Sequence, residues 1–291
     1  MRRSMLFVPG NSPGMLLSAD IHQADAVILD LEDAVAPNQK DAARVLVRRA
    51  LLGLPYRGVE IIIRINPLGS GFTRDDIFAM VPLKPKLLMP TKVSGPQDIH
   101  EISAMVAQAE QENGLEAGSV GLLPLLETAA GIENAYLIAS CDPRVKAIFL
   151  GAEDLSSDLQ AVRSLKGDEI LYARGRVVVA ARAAGVEVYD TPFTDVNDEE
   201  GLEKDAAFAR ALGFTGKAAI SPRHIPAINA AFSPSQEEIS YAMEVMAAIE
   251  EGQKQGRGAV SLRGKMIDKP IVDRARRVLD NAEALGLGGR T

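Results

Sequence analysis

The chain has 291 residues, 47 % hydrophobic and 4 % aromatic, with no tryptophan and a formal net charge of −7. That apolar content can fill a large core, whereas a negative field with so few rings excludes a base-stacking or phosphate-gripping nucleic-acid surface. Cys141 is the sole cysteine, which rules out an intramolecular disulfide and a zinc site built from several cysteines.

Residues 1–10 carry two arginines, but their apolar run is short and ends in Pro9-Gly10, a poor secretory signal. No window holds 18 consecutive apolar residues, so no membrane span is expected and the chain reads as a soluble cytoplasmic protein. From there, short β-rich runs alternate with helical patterns. Residues 4–8 form the first expected strand, and Asn11-Ser12-Pro13 reads as a helix cap with proline at the first helical position. Residues 26–31 (AVILDL) are the second strand, leading into Glu32-Asp33. Ala43, Leu46, Val47, Ala50 and Leu51 put a helix over 40–52, stopped by Gly53. The third strand, 60–65, carries Arg64 and ends in Asn66-Pro67; a glycine-rich loop with one short helix follows. The fourth, 86–89, ends in Pro90-Thr91-Lys92, and a helix over 97–111 succeeds it.

The fifth and sixth strands, 120–126 and 147–150, each end in acid: Glu127, then Gly151-Ala152-Glu153-Asp154. A helix over 168–184 turns Ile170, Ala173, Val177, Val178 and Ala181 inward. The seventh strand, 187–189, runs into Asp190-Thr191-Pro192, the next helix covers 198–212, and the eighth strand, 216–220, runs into Ser221-Pro222-Arg223. Eight strands with helices mostly between them predict an α/β chain, a (β/α)8 TIM barrel over residues 1–232; a doubly wound open sheet is the alternative. Residues 233–291 lie outside the eightfold pattern. They predict a helix over 235–250 opened by a Ser235–Glu238 capping box and striped by Ile239, Met243, Met246 and Ile249, then a glycine-punctuated loop over 256–268, then a helix over 270–284. This C-terminal helix-loop-helix extension is expected to pack on a neighbouring subunit or to cover the barrel mouth.

In such a barrel, strand ends share one face, and active sites lie there. The polar residues at those ends are Asp30, Glu32, Asp33, Arg64, Asn66, Lys92, Glu127, Glu153, Asp154, Asp190, Ser221 and Arg223. Carboxylates at successive strand ends are one way of holding Mg2+, and the lack of nearby His or Cys favours Mg2+ or Mn2+ over zinc. The competing reading is that the acids cap the following helices. Arg64 inside IIIRIN also has two readings, an ion pair to a neighbouring acid such as Asp30 or Glu32, or a bidentate clamp on a substrate carboxylate. His22 and His100 read as surface residues, and His224 lies near the eighth strand end. Neither a Gly-x-Ser-x-Gly elbow, nor GxGxxG after the first strand, nor a P-loop is present.

RSMLFVPG, AVILDLEDAV, IIIRIN, LLPLLETAAGI, FLGAEDL and VSLRGKMID, in that order over nearly the whole chain, resemble the citrate lyase β-subunit family of the HpcH/HpaI aldolase–citrate lyase superfamily, with citramalyl-CoA and malyl-CoA lyases as relatives. The resemblance implies a homotrimeric (β/α)8 barrel that cleaves a 3-hydroxy-carboxyacyl thioester by a retro-Claisen step. It implies Glu127 and Asp154 as Mg2+ ligands and Arg64 on the substrate carboxylate. Asp30, Glu32 and Asp33 would surround the metal waters, a nearby carboxylate would take the hydroxyl proton, and Lys92 is a candidate to stabilise the enolate. Asp268 would be the proton donor reaching a neighbouring subunit's site; its plainer reading is an N-cap of the final helix. The loop Ser261-Leu262-Arg263-Gly264-Lys265 carries arginine where the citrate lyase subunit tends to have asparagine, which leaves the acyl carrier open between CoA and an acyl carrier protein. The alternatives are the β-subunit of a multi-subunit citrate lyase acting on citryl bound to a carrier protein, a malyl-CoA-type thioesterase, and a non-enzymatic binding role.

Overall fold

The computed structural model describes residues 1–254 and 260–287. Nine parallel strands occur in chain order: β1 (Ser4–Pro9), β2 (Ala26–Asp30), β3 (Glu60–Ile65), β4 (Leu87–Pro90), β5 (Gly121–Leu122), β6 (Leu125–Leu126), β7 (Ala147–Leu150), β8 (Glu187–Asp190) and β9 (Gly216–Ala219). Their lateral order is β5-β4-β3-β2-β1-β9-β8-β7-β6. β5 and β6 are two halves of the one expected strand, divided at Pro124, which has no N–H to donate to a ladder. The division leaves the ring closed. On one side Leu123 N donates to Leu88 O at 2.8 Å, and on the other Leu122 N donates to Arg144 O at 2.7 Å and Phe149 N to Pro124 O at 3.0 Å. The result is an eight-stranded barrel in the expected strand order, with β5 and β6 counted as one.

Strand period fixes the faces. Met5, Ala26, Ile28, Ile62, Leu87, Met89, Leu123, Leu125, Ala147, Phe149, Tyr189 and Ala218 form one buried cluster inside the barrel. Their sequence neighbours Val27, Leu29, Ile63, Leu88, Ile148 and Val188 are equally buried under the helical ring. Sheets covered on both faces read as continuous apolar runs, and these strands do.

The helices follow their apolar spacing. α2 (Lys40–Gly53) buries Ala43, Val47 and Ala50; α4 (Pro96–Glu112) buries Ile99, Ile102, Val106 and Ala109. α8 (Leu171–Ala184) is entered through a 3-10 turn at Asp168–Ile170, and α9 (Glu199–Leu212) is capped by the Asp198 carboxylate accepting from Gly201 N. The glycine-rich stretch after β3 does hold one short helix, α3 (Thr73–Met80). Among the described residues no helix is long and apolar enough to cross a membrane.

The chain divides into two compact units, Arg2–Ala231 and the segment from Phe232 onward. The second unit pairs α11 (Gln236–Lys254) with α12 (Lys269–Ala284). The Ser235 capping box forms as expected, with Ser235 N donating to Glu238 Oε2 at 2.7 Å and Glu238 N to Ser235 Oγ at 3.1 Å. Two details correct the expectation. Met243 is 49 % exposed; the buried row is Ile239, Ala242 and Val245, with Met246 and Ile249 beside it. Of the expected loop, 256–259 lie outside the described residues, and the remainder contains an antiparallel hairpin, β10 (Val260–Leu262) with β11 (Lys265–Ile267). Its two-residue turn has Arg263 at φ 49° and Gly264 at φ 77°. A primed hairpin turn needs both residues left-handed, a position that suits asparagine. The Arg263 departure is thus a matter of turn geometry, offset by the Arg263–Glu244 ion pair at 2.7 Å.

Candidate active site

Continuing the inward register of the strands by two residues places Asp30 above Ile28, Arg64 above Ile62, Glu127 above Leu125 and Gly151 above Phe149. These four line a cavity of roughly 330 Å³ at the carboxyl ends of the strands, together with Phe7, Asp33, Asp154 and Thr191. Arg64 is its central cation. Nε and Nη2 donate to the two oxygens of Asp30 at 2.7 and 2.5 Å, and Nη1 lies 3.1 Å from Glu32 and 3.6 Å from Asp33. The guanidinium also rests 5.1 Å over the Phe7 ring. Burial alone would lower its pKa; the hydrogen bond and charge of Asp30, reinforced by Glu32 and Asp33, outweigh that and raise it. The ion-pair reading of Arg64 is therefore realised, through Asp30, and Nη1 is directed toward the buried Glu32 and the exposed Asp33. Asp30, 2 % exposed, also accepts from Glu32 N at 2.7 Å and Ala34 N at 3.2 Å. It orients Arg64 and the following loop.

The loop after β2 is held from behind by Lys40, whose buried ammonium donates to Leu31 O at 2.9 Å and Glu32 O at 2.7 Å. Sequence reasoning treated Lys40 as the start of a helix; its only signal was a lysine at a helix N-terminus, where the helix dipole disfavours a cation. Asn66 similarly ties β3 to α3, donating to Leu31 O and Asp76 Oδ2.

Lys92 meets three acids. Its backbone is left-handed, φ 55°, a conformation that costs a non-glycine residue about 1–3 kcal/mol. Its N–H donates to Glu127 Oε1 at 2.9 Å, while Nζ lies 3.4 Å from Glu32 Oε1 and 3.3 Å from Asp154 Oδ2. Burial lowers the Lys92 pKa, but the charges of Glu32, Asp154 and Asp33 outweigh that and raise it. Glu127 is 4 % exposed, and burial, then the charges of Asp154 and Glu32, push its carboxyl up to about 8. Glu32 is raised as well, by burial, against the pull of Arg64. Gly151 makes this crowding feasible, since a Cβ there would stand 2.8 Å from Glu127 Cβ and 2.9 Å from its Oε2.

Asp154, Glu127 and Glu32 offer only oxygen donors, and the Glu127 carboxyl is raised first by burial and then by the charges of Asp154 and Glu32, which a divalent cation would offset. Among the described residues no three such side chains already surround one point. Mg2+ needs only one or two protein carboxylates, because it keeps several waters. The donor set fits that ion.

Other sequence-predicted residues go elsewhere. Asp190 lies on the outward face, opposite in register to Tyr189, where Arg174 donates to it at 3.0 and 2.9 Å and Lys217 at 2.6 Å, with Asp205 completing a buried network. His224 is buried outside the cavity. Glu153 is the exception, lining the cavity while it pairs with Arg163 at 2.9 Å. Asp268 belongs to the C-terminal unit, where its Oδ1 accepts from Ile271 N at 3.2 Å and caps α12. Its N-cap reading is realised.

Comparison with known proteins adds to this geometry. The β subunit of citrate lyase from Leuconostoc mesenteroides subsp. cremoris is 42 % identical over 284 residues, covering 98 % of this chain and 94 % of that one. The mitochondrial citramalyl-CoA lyase of Mus musculus is 34 % identical over 296 residues, covering 98 % and 87 %. The crystal structure of CitE from Mycobacterium tuberculosis in complex with magnesium, acetoacetate and coenzyme A superposes with a TM-score of 0.80 at 32 % identity, covering 97 % of this chain and 98 % of that one. Residues 3–222 match the model of the HpcH/HpaI aldolase/citrate lyase family. The chain belongs to the HpcH/HpaI aldolase/citrate lyase family.

Proposed function

We propose that this chain is a Mg2+-dependent carbon–carbon lyase that cleaves a 3-hydroxy-carboxyacyl thioester, of the citramalyl, malyl or citryl type, to a 2-keto acid and an acetyl thioester. The observation that carries the reading is the cavity at the strand ends, where Glu127 and Asp154 face an arginine held in a fixed plane by Asp30. Citrate lyase and citramalyl-CoA lyase relatives, and a relative holding magnesium with acetoacetate and coenzyme A, support it.

A Mg2+ or Mn2+ ion held by Glu127 and Asp154 would supply Lewis acidity toward the hydroxyl and carboxylate oxygens of the substrate. Asp30 fixes Nε and Nη2 of Arg64, so Nη1 is the nitrogen turned toward the substrate carboxylate. Glu32 or Asp33, both beside that nitrogen, takes the hydroxyl proton. The hydroxyl oxygen becomes the keto oxygen, the adjacent C–C bond breaks, and its electron pair passes into the thioester enolate. Asp268 from a neighbouring subunit's C-terminal unit donates the proton that completes the acetyl group. That role requires an oligomer, and the reading takes a homotrimer with residues 233–291 packing on a neighbouring barrel. The reading also takes a cytoplasmic location. A second reading, the β subunit of a multi-subunit citrate lyase acting on citryl attached to an acyl carrier protein, is favoured by the 42 % identity to such subunits.

Glu127→Gln and Asp154→Asn test the reading. Each is expected to abolish Mn2+ binding while the circular dichroism spectrum stays that of the parent; Mn2+ affinity and turnover both within twofold of the parent in either variant would refute it.

A further inference from the structure

The acids of the site do not stand alone, because two cations, Arg64 and Lys92, already sit among them. We infer that Lys92 is the resident counter-cation of the metal-free site: its ammonium holds Glu32 and Asp154 apart from one another until a divalent ion displaces it. The inference rests on the metal reading above and adds a competitor to it. Among the described residues Lys92 alone touches all three acids, Glu127 through its N–H at 2.9 Å and Glu32 and Asp154 through Nζ at 3.4 and 3.3 Å. Its left-handed backbone, φ 55°, is the turn that lets the N–H and the side chain address the same cluster.

The two cations of the site differ in freedom. Arg64 is pinned by two bonds to Asp30, itself 2 % exposed. The Lys92 side chain is 42 % exposed and Asp154's is 40 %, so the ammonium can swing into water without leaving a buried charge behind. Glu32 keeps its second oxygen on Arg64 at 3.1 Å and stays in place when Lys92 departs. The absence of three converging acids among the described residues agrees with this arrangement, since the carboxylates are spread around an ammonium. A divalent ion at Asp154 would stand beside the ammonium, which lies 3.3 Å from Oδ2, and like charges so close repel, so metal loading works against the Lys92 contacts.

The test measures Mn2+ binding to the purified chain without thioester, by the paramagnetic resonance signal of free Mn2+, for the parent, Lys92→Met, Lys92→Gln and Lys92→Arg. The two neutral variants should bind Mn2+ on the order of tenfold more tightly, the size expected for removing two partly exposed ion pairs. Lys92→Arg, which keeps the charge, should bind no more tightly than the parent. In EDTA the neutral variants should melt lower than the parent and gain more from added Mn2+. Unchanged or weaker binding by folded Lys92→Met and Lys92→Gln overturns the inference while leaving the metal reading intact. No binding by the parent or any variant overturns both.

Discussion

Replacing Arg64 by methionine is the sharpest test of how the site is held together. The side-chain length is roughly kept, but Asp30 loses both charged donors at 2.7 and 2.5 Å, and at 2 % exposure it cannot turn to water. It retains only the N–H groups of Glu32 and Ala34. Removing one partner of a buried pair costs about 3–5 kcal/mol, because the other charge is left uncompensated. The lost contact to the Phe7 ring adds about 0.5–1 kcal/mol. For a unit of this size the sum corresponds to a melting temperature lower by on the order of 10 °C. The double variant Asp30→Asn, Arg64→Met removes the orphaned charge and should recover about 2 kcal/mol relative to additivity. Urea titration of the parent, both single variants and the double variant measures the coupling. A loss below about 1 kcal/mol for Arg64→Met, or strict additivity, would refute the view that Asp30 depends on Arg64 as its partner.

Further predictions concern the acids. Glu110, buried against the Arg144 fork and the N–H groups of Val120 and Gly118, is held down to about 2 from an ordinary 4.5, these partners outweighing its burial. A carboxyl lowered in the folded state stabilises above its unfolded pKa and loses that contribution as pH falls through the folded one. About 3 kcal/mol should therefore disappear between roughly pH 4.5 and 2, and Glu110→Gln should flatten the urea midpoint over that range; an unchanged slope would contradict the assignment. Glu127, at about 8 without metal, is mostly protonated at neutral pH. Divalent-ion binding at pH 7 should then release close to one proton, read by calorimetry in buffers of different ionisation heat, and a release near zero counts against it. Gly151→Ala should push Glu127 aside and lower turnover on the order of 100-fold with little change in melting temperature; parental turnover would show that the neighbours yield instead.

The barrel was legible because two periods coexist in the sequence. Continuous apolar runs such as AVILDL and IIIRIN, short and rich in β-branched residues, read as strands buried on both faces, and the Ala43–Val47–Ala50 spacing reads as one buried side of a helix. The acids and Arg64 stood out because charge inside such runs needs a partner. Which face a strand-end residue takes was less legible. Asp190 ends a strand as Glu127 follows one, yet a single step of register sends it outward to Arg174 and Lys217. Each face of β8 carries one apolar residue and one acid, Tyr189 with Glu187 and Val188 with Asp190, so composition could not set the parity. The hairpin at Val260–Ile267 was hidden for a related reason: strands of three residues leave no measurable period, and Arg263 stood where a turn signal was expected. Lys92's place among three acids depends on a left-handed backbone that no residue type announces there.

The most direct test of the central claim is product analysis with the purified chain on citramalyl-CoA, malyl-CoA and citryl-CoA, with Mg2+ and with EDTA. The account predicts EDTA-sensitive release of a keto acid, pyruvate, glyoxylate or oxaloacetate, in equal amount to acetyl-CoA. On the carrier-dependent reading the keto acid appears only when the acyl group is presented on a carrier protein, and it is matched by the acetyl-carrier thioester. Free CoA without acetyl-CoA, the mark of a thioesterase, would contradict cleavage of the carbon–carbon bond, as would product formation that is indifferent to EDTA.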